Sequence, residues 1–288
     1  MIGRTMALAC GLALALAGAA RAEMVDVDGG QIYYETCGPQ ASEKGPQAIV
    51  LIHDGVINSA SFDDMWPILC KDFRVVRYDR RGYGKSPAAK APYAPQEDLA
   101  AVIRAAKFDH ASLVGFSFGG GLAVSYAIRH PEQIDRLVIS GAALNGFEQT
   151  KHFRDHITRI MAPMIIGNFD AVVDNAARSG WVMAPGHDAA KAEALAILKA
   201  SPKDLSHQMR DPIKAWPSDL PRMGEIKAPT LILIADHDIA DNQAESGAAQ
   251  ALIPGSRRIV VDDAGHLMQL EHPKEVAKLI ADFVRKGR

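Results

Sequence analysis

The chain has 288 residues, of which 48% are hydrophobic, and a formal net charge of −2 at pH 7. This length suits one large α/β domain with an insertion, and the hydrophobic content excludes a disordered chain. The balance of 32 basic and 34 acidic residues argues against a nucleic-acid partner, which would favour a basic surface.

The first 22 residues are predicted to be a secretory signal. Arg4 precedes an apolar run over residues 6–20, and the small residues Ala20 and Ala22 frame a cleavage site before Glu23. We therefore expect a protein that is exported to the periplasm or secreted, with a mature chain that begins at Glu23. The apolar run is shorter than the ~20 residues that cross a bilayer, so we expect no stable membrane span in the mature chain.

The three cysteines divide between the predicted signal, which contains Cys10, and the predicted mature chain, which contains Cys37 and Cys70. Export would place the latter two in an oxidising compartment, where thiols can form disulfides. Whether Cys37 and Cys70 pair is left open at this point, and so is the oligomeric state.

Strand-like and helix-like segments alternate in the part of the chain that follows. A hairpin is predicted from residues 24–27 and 31–36, around a turn that contains Gly29 and Gly30. Unbroken apolar runs then predict buried strands, and the segments between them have helical character. The predicted strands are 48–52, 74–78, 112–116 and 137–140, and the predicted helices are 61–70, 96–107 and about 118–129. This alternation is typical of a mostly parallel central sheet flanked by helices.

Residues 145–223 are predicted to form a helical lid inserted after the sixth strand, because they are rich in methionine, alanine and charged residues and lack strand-like runs. Strands at 229–235 and 258–261 then resume the core, with helices at 242–252 and 274–285. The predicted domains are a signal peptide at 1–22, a core at 23–144 and 224–288, and the lid at 145–223. Large apolar residues of the lid either line a substrate pocket or pack against the core, and these are Met161, Met164, Trp181, Met183, Met209 and Trp216.

The most informative motif is the segment Gly-Phe-Ser-Phe-Gly at residues 115–119, between a predicted strand and a predicted helix. A Gly-x-Ser-x-Gly turn in this context forces the serine into a strained backbone conformation and exposes its hydroxyl. The helix that follows directs its N-terminal dipole at any developing negative charge. Ser117 is therefore the predicted nucleophile, provided that other residues supply a base and an acid.

Partners for Ser117 are expected at the carboxyl ends of other strands, where reactive groups gather in open α/β sheets. Asp236 and Asp238 follow one late strand and His266 follows the next, which produces the chain order serine, aspartate, histidine. His266 would accept the proton of Ser117 during attack on a carbonyl and return it to the leaving group. An aspartate would hold the imidazole in the required tautomer, and of the two candidates we favour Asp238.

Together these motifs resemble the α/β-hydrolase superfamily over nearly all of the predicted mature chain. Members usually carry a Gly-x-x-Asp loop after their seventh strand, and residues 235–238 match it with alanine in the glycine position, which places the acid at Asp238. Members also commonly show Gly-His followed by Glu-x-Pro, as in residues 265–266 and 271–273. Some members place the acid after the sixth strand, where this chain has Asn145. The resemblance implies the α/β-hydrolase fold.

The resemblance also implies an oxyanion hole built from two backbone N–H groups. One belongs to Phe118, just after the nucleophile, and the other belongs to the loop after Ile52, where we favour Gly55 and keep Val56 as the alternative. Relatives usually read His-Gly-x in this loop, whereas this chain has Asp54 in the place of the glycine. Aspartate tolerates left-handed backbone angles better than most residues, so we expect the loop to survive the exchange.

Two other motifs point towards different functions, and we interpret both as structural. Residues 84–86 (Gly-Lys-Ser) resemble the end of a phosphate-binding loop, but that motif requires glycine where this chain has Asp79. His152 and His156 have the spacing of metal ligands on a helix, but no glutamate follows His152 as it would in a zinc protease. We therefore expect no metal and no cofactor.

The sequence thus predicts an exported serine hydrolase that cleaves a small carboxylic ester or lactone through an acyl-serine intermediate. A carbon-carbon bond hydrolase, an amidase or a cofactor-free perhydrolase could use the same triad, and a non-catalytic ligand-binding homologue is a further alternative. Haloalkane dehalogenases and epoxide hydrolases of this fold attack with aspartate, so Ser117 excludes them.

Overall fold

The computed structural model describes residues 18–39, 47–204 and 212–286. Eight strands form one sheet: β1 (Gly18–Val27), β2 (Gly30–Gly38), β3 (Ala48–Ile52), β4 (Arg74–Tyr78), β5 (Ala111–Phe116), β6 (Ile134–Ser140), β7 (Thr230–Ala235) and β8 (Arg257–Val261). Their order across the sheet is β1-β2-β4-β3-β5-β6-β7-β8.

The sheet is antiparallel at one end and parallel through the rest. β1 and β2 form a hairpin with Val27 opposite Gly30, and β2 is antiparallel to β4. Every pair from β4 to β8 is parallel. The carboxyl ends of these strands therefore share one edge of the sheet, where loops can combine their side chains. The predicted mostly parallel sheet is confirmed, and the predicted hairpin is present with longer strands.

Nine α-helices lie within the described ranges: α1 (Trp66–Leu69), α2 (Pro95–Ala105), α3 (Phe118–Arg129), α4 (Lys151–Met161), α5 (Phe169–Ser179), α6 (Asp188–Ala200), α7 (Ala240–Leu252), α8 (Met268–Glu271) and α9 (Pro273–Lys286). None of the helices in these ranges combines the length and the apolar character that crossing a bilayer requires.

Apolar side chains fill both faces of the sheet because alternate residues of a strand point to opposite faces. Val50 and Ile52 of β3 pack on the face that α2, α3 and α7 cover. Ile49 and Leu51 pack on the face that α1 and α9 cover. All residues of β3 and β5 are buried, which explains why their sequences read as unbroken apolar runs.

The predicted helix over residues 61–70 is wrong in its extent. A 3-10 helix spans Ser59–Phe62, and α1 covers only Trp66–Leu69. Pro67 accounts for the break, because a proline inside a continuous helix lacks the N–H for the ladder and its ring clashes with the carbonyl group four residues earlier.

Between β6 and β7 the chain forms α4, α5 and α6, with a 3-10 helix at Ala162–Ile166. Their apolar side chains form a third cluster, which also contains Ile57 and Leu267 from loops at the carboxyl edge of the sheet. The role of this helical segment as a lid and the boundaries of the predicted domains stay predictions. Residues 1–17 and 205–211, Met209 among them, lie outside the described residues.

A disulfide joins Cys37 in β2 to Cys70 at the end of α1, with the two Cα atoms 5.6 Å apart. The pairing that the sequence left open is therefore present. The two residues are separated by 33 positions in the chain, so the bond closes a loop that contains β3 and α1. Such a cross-link restricts the unfolded chain more than the folded one, and it stabilises the fold by that difference.

We expect the variant Cys37→Ser/Cys70→Ser to have a free energy of unfolding about 3 kcal/mol below that of the wild type, because its unfolded chain regains the lost freedom. Urea unfolding with and without dithiothreitol measures this difference. Reduction should bring the wild type down to the value of the variant and leave the variant unchanged. A wild-type protein whose stability does not respond to complete reduction would contradict the prediction.

Candidate active site

Ser117 lies in a tight turn between β5 and α3, with φ +51° and ψ −118°, a combination that non-glycine residues rarely adopt. The flanking glycines make this turn possible. A Cβ atom on Gly115 would lie 2.2 Å from the carbonyl oxygen of Gly119, and a Cβ atom on Gly119 would lie 2.3 Å from that of Ile52. The motif therefore has the backbone of a nucleophile elbow, and its glycines are required by sterics.

His266 lies in the loop after β8, and its Nδ1 is 2.9 Å from Oδ2 of Asp238 in the loop after β7. A carboxylate only accepts hydrogen bonds, so Nδ1 carries the proton and donates it, which leaves Nε2 as the acceptor. Both side chains are well shielded, with His266 12% exposed and Asp238 1% exposed. The structure thus brings together the predicted base and the favoured acid, in the tautomer that general-base action requires.

Asp236, the other candidate acid, has a different set of partners. Its two carboxylate oxygens accept the backbone N–H groups of Asp263 and Ala264, each at 3.0 Å. Burial raises the pKa of Asp236, but these N–H bonds outweigh it, and the pKa lies below its ordinary value. Asp236 therefore holds the loop before His266 in shape, and it makes no contact with the imidazole.

Two further residues shape this pair, and the sequence reasoning missed both. Asn242 on α7 donates from Nδ2 to Oδ1 of Asp238 at 2.7 Å, one helical turn after that aspartate. Gly141, the first residue after β6, has φ +48°, and a Cβ atom there would lie 2.9 Å from Nδ1 of His266. The sequence could have indicated Gly141, because it is a glycine directly after a strand at the carboxyl edge of the sheet. Asn242 had no such pattern, and only its spacing of four residues from Asp238 could have indicated it.

His53 is buried and stays neutral. Burial and the charge of Arg80 hold its pKa well below the ordinary value. Its Nε2 accepts the backbone N–H of Arg80 at 2.9 Å, so its Nδ1 carries the proton and donates to the carbonyl oxygen of Asp54 at 2.8 Å. His53 therefore holds the loop after β3 in place and has no free nitrogen with which to act as a second base.

The loop after β3 favours one of the two candidates for the second oxyanion donor. Oδ1 of Asp54 accepts the N–H of Val56 at 2.6 Å and that of Ile57 at 3.0 Å. Tyr83 donates its hydroxyl to the carbonyl oxygen of Gly55 at 2.8 Å and so fixes the orientation of that residue. Since the N–H of Val56 is engaged by Asp54, we retain Gly55, whose assignment with Phe118 stays a prediction.

Three carboxyl groups influence His266. Burial lowers the pKa of His266, but the charge and hydrogen bond of Asp238, with the charges of Asp54 and Glu245, raise it above its ordinary value. Glu245 on α7 is itself buried, which raises its pKa to about 7 although it accepts the N–H of Leu144. The imidazolium form that proton transfer from a serine creates is therefore stabilised at this position.

A cavity of about 320 Å³ lies between the carboxyl edge of the sheet and helices α4 to α6. Ser117, Phe118, Gly55 and His266 are all on its wall, and the other described lining residues with polar side-chain groups are Gln149, Asn242 and Trp181, whose indole N–H has no hydrogen-bond partner. None of its described lining residues is an aspartate, glutamate, lysine or arginine. Most of the wall is apolar, and it includes Phe153, Ile157, Ile160, Val172, Val173 and Leu198.

The large apolar residues of the helical segment divide between the two predicted roles. Met161, Trp181 and Met183 line the cavity. Met164 packs against the apolar cluster of the segment. Trp216 instead donates its Nε1–H towards Ser125 and Asp219, outside the cavity wall.

The loop at residues 79–86 is built around Asp79 and serves the fold. One oxygen of this carboxylate accepts the N–H and hydroxyl of Ser59, at 3.0 and 2.6 Å, and the other accepts the N–H of Lys85 at 2.8 Å. Gly84 is required because a Cβ atom there would lie 2.2 Å from Asp79. The carboxylate thus fills the centre of the turn, where a phosphate-binding loop would need space.

His152 and His156 are neighbours on α4, with ring centroids 4.1 Å apart and ring planes tilted by 46°, and His152 is exposed whereas His156 is half-buried. His156 also contacts the carbonyl oxygen of His152 through Nδ1 at 2.9 Å. In the described part of the chain, the histidine and acidic groups that come close enough to share a metal ion do not include this pair.

The comparisons with known proteins agree with this architecture. A model of the alpha/beta hydrolase family matches residues 49–279. The 2-hydroxymuconate semialdehyde hydrolase of Pseudomonas sp. (strain CF600) is 27% identical over 260 residues, which cover 83% of this chain and 87% of that protein. The pimeloyl-[acyl-carrier protein] methyl ester esterase of Aeromonas hydrophila is 26% identical, over 84% of this chain and 96% of the esterase. The enol-lactonase from Burkholderia xenovorans shares the fold, with a TM-score of 0.76 at 24% identity over 92% of this chain and all of that one.

Proposed function

Since this chain belongs to the alpha/beta hydrolase family, we propose that it is a serine hydrolase that cleaves a small carboxylic ester or lactone through an acyl-serine intermediate. One observation carries the proposal: the strained Ser117 and the Asp238-oriented His266 lie on the wall of the same apolar cavity. Relatives with known activities in this family include both an esterase and a hydrolase of a semialdehyde.

The proposed reaction begins when Oγ of Ser117 bonds to the substrate carbonyl carbon and Nε2 of His266 accepts the hydroxyl proton. The carbonyl oxygen takes up negative charge, which the N–H groups of Phe118 and Gly55 stabilise. The bond to the leaving alcohol then breaks, and His266 donates its proton to that oxygen. In the second half, His266 deprotonates a water molecule that attacks the acyl group, and the acid leaves Ser117 with its hydroxyl restored.

The cavity favours a neutral, apolar acyl group. Its size is at the small end of ligand sites, which typically measure about 300–1,000 Å³. A substrate carboxylate bound among Phe153, Ile157 and Trp181 would lose its hydration without gaining a cationic partner from the described lining residues. The missing cationic partner favours neutral esters and lactones as substrates. It disfavours acidic dienoates, which a carbon-carbon bond hydrolase with the same triad would cleave.

A panel of p-nitrophenyl esters with acyl chains from acetyl to palmitoyl tests the proposal, together with neutral lactones, an anilide and a muconate-type semialdehyde. We expect the highest kcat/KM for short and medium acyl chains, with turnover of at least one lactone. Long chains should react more slowly because the cavity cannot enclose them. Turnover of the semialdehyde alone would replace the ester proposal with the carbon-carbon alternative, and turnover of the anilide alone would replace it with an amidase.

The pH dependence of kcat/KM should show an acid limb above pH 6.5. His266 must be neutral to accept the proton of Ser117, and the Asp238 carboxylate raises the pKa of His266 above its ordinary value of 6.5. Activity is therefore complete above that pKa and falls about tenfold per pH unit below it. Initial rates with an aryl ester between pH 5 and 9 measure the limb. A limb centred below pH 6 in the wild type is the result that would contradict this assignment.

We also propose that the protein is exported, with cleavage before Glu23. The disulfide between Cys37 and Cys70 supports the proposal, because such bonds persist mainly in oxidising compartments. Cleavage there would remove residues 18–22 from β1 but retain the pairs from Glu23 opposite Tyr34 onwards. Intact mass of the protein recovered from the periplasm or medium of an expressing bacterium tests this. A full-length mass, or recovery only from the cytoplasm, would refute it.

A further inference from the structure

A cluster of metal-ligating groups lies at His187, Asp263 and His272, outside the proposed active site. Nε2 of His187 is 2.9 Å, and Nε2 of His272 is 2.8 Å, from the carbonyl oxygen of Asp263. Oδ2 of the Asp263 side chain is 3.5 Å from Nε2 of His187. The two imidazole rings meet edge to face, with centroids 5.0 Å apart. Three separate parts of the chain thus meet here, and both imidazole Nε2 atoms donate N–H to the same carbonyl oxygen. A metal ion bound by the two Nε2 atoms would replace these two protons and their hydrogen bonds.

The distances suit a single metal ion. One ligand atom from each residue lies within 4.8 Å of the other two, so a point exists no more than about 2.8 Å from all three (4.8 Å divided by √3). Zinc ligands lie at about 2.0–2.2 Å, so shifts of less than about 1 Å complete the site. Imidazole nitrogens select zinc and similar transition metals, whereas calcium and magnesium prefer oxygen ligands. The exposed Asp263 side chain leaves room for water as a further ligand.

The surroundings hold these groups in position independently of any ion. Asp263 has φ +53°, a conformation that aspartate tolerates, and Asp236 binds both its N–H and that of Ala264. His187 directly precedes α6, and His272 lies between α8 and α9. The carbonyl group of Asp263 is therefore presented to both imidazoles by a loop whose shape is already determined.

From this placement we infer that His187, Asp263 and His272 form a zinc-binding site. The ion ties the start of α6, which belongs to the helical segment over the cavity, to the loop that carries His266 three residues after Asp263. That loop already contacts the segment, because the N–H of His266 donates to the carbonyl oxygen of Trp181 at 2.7 Å. Zinc adds a tie to the hydrogen bonds that already join the same two parts of the protein and stabilises their association.

Isothermal titration of ZnCl₂ into EDTA-treated, buffer-exchanged protein tests this inference. We expect one zinc ion per chain and a higher Tm when zinc is present. The variant His187→Gln/His272→Gln should bind zinc at least about tenfold more weakly and lose the Tm shift. Glutamine amides can still donate to the carbonyl oxygen of Asp263, so this variant preserves the hydrogen bonds while removing the imidazole ligands. Asp263→Asn, which keeps the backbone carbonyl, should also bind more weakly.

Two control variants locate the binding. His110→Gln changes an exposed histidine in a distant loop and should bind zinc as the wild type does. His152→Gln/His156→Gln removes the other histidine pair and should also leave the affinity unchanged. The inference is overturned if the His187/His272 variant binds zinc with wild-type affinity, if the wild type binds none, or if the His152/His156 variant is the one that loses binding. Circular dichroism without zinc establishes that each variant is folded.

Discussion

Ser117→Ala is expected to lower kcat for the best ester of the panel by about 10⁶-fold, because removing the nucleophile of a serine hydrolase abolishes the acyl-enzyme route. KM should change little, since the cavity wall that holds the acyl group is intact. The positive φ at this position strains the backbone equally with alanine or serine, so the substitution should leave the fold intact. Steady-state kinetics and labelling by a fluorophosphonate probe measure the effect, and the variant should take up no label.

Ser256→Ala provides the matched control, because Ser256 is a half-buried residue just before β8 whose hydroxyl donates to the carbonyl oxygen of Gln250, outside the cavity wall. It should keep wild-type turnover and wild-type labelling. If Ser117→Ala retained more than a hundredth of the activity, another group would have to be the nucleophile. If the wild type itself were neither active nor labelled, the non-catalytic alternative would hold.

Asp238→Asn is expected to lower kcat by about 10⁴-fold. An asparagine at this position can present its amide N–H to Nδ1 of His266, which then has to accept. The proton of the imidazole moves to Nε2, the nitrogen that must take the proton of Ser117, so the base is lost although the geometry is kept. Loss of the negative charge also removes the main cause of the raised pKa of His266, so the acid limb of the remaining activity should move to lower pH.

Asp236→Asn is the control for Asp238→Asn, because it makes the same exchange two residues earlier in the same loop. An asparagine there can still accept one of the two backbone N–H bonds that Asp236 receives from Asp263 and Ala264. We expect a decrease in kcat of less than about tenfold and a modest decrease in Tm, since only the loop is affected. Equal losses in the two variants would mean that the loop after β7 acts as a unit, and the assignment of Asp238 as the orienting acid would fail.

The family could be predicted from the sequence because its motifs are local. The strained turn at Ser117 requires glycines two positions away on either side, and this requirement is visible in five consecutive residues. Asp238 and His266 are distant in sequence, but each follows an apolar run of strand length, and parallel strands bring their carboxyl ends to one edge. Chain order and strand ends therefore selected His266 and the pair Asp236 and Asp238, and the resemblance of residues 235–238 to the Gly-x-x-Asp loop favoured Asp238.

Other parts of the site could not be predicted because they depend on contacts between distant segments. Asn242 reaches Asp238 only because α7 begins just after the loop that holds it. Gly141 is required by the imidazole of a residue 125 positions later, and no local pattern reveals such an approach. The preference for Gly55 over Val56 was made from the sequence, but its physical support comes only from the tertiary structure, in which the carboxylate of Asp54 occupies the N–H of Val56.

The amino-acid sequence by itself determined the alternating strands and helices, the elbow around Ser117 and the order of its proposed partners, because hydrophobic periodicity and steric limits on backbone angles act over a few residues. The tertiary structure decided the disulfide between Cys37 and Cys70, the apolar and uncharged cavity and the histidine cluster beside Asp263. These features arise where side chains from separate segments meet, and their distances follow from the packing of the helices between β6 and β7 onto the edge of the sheet.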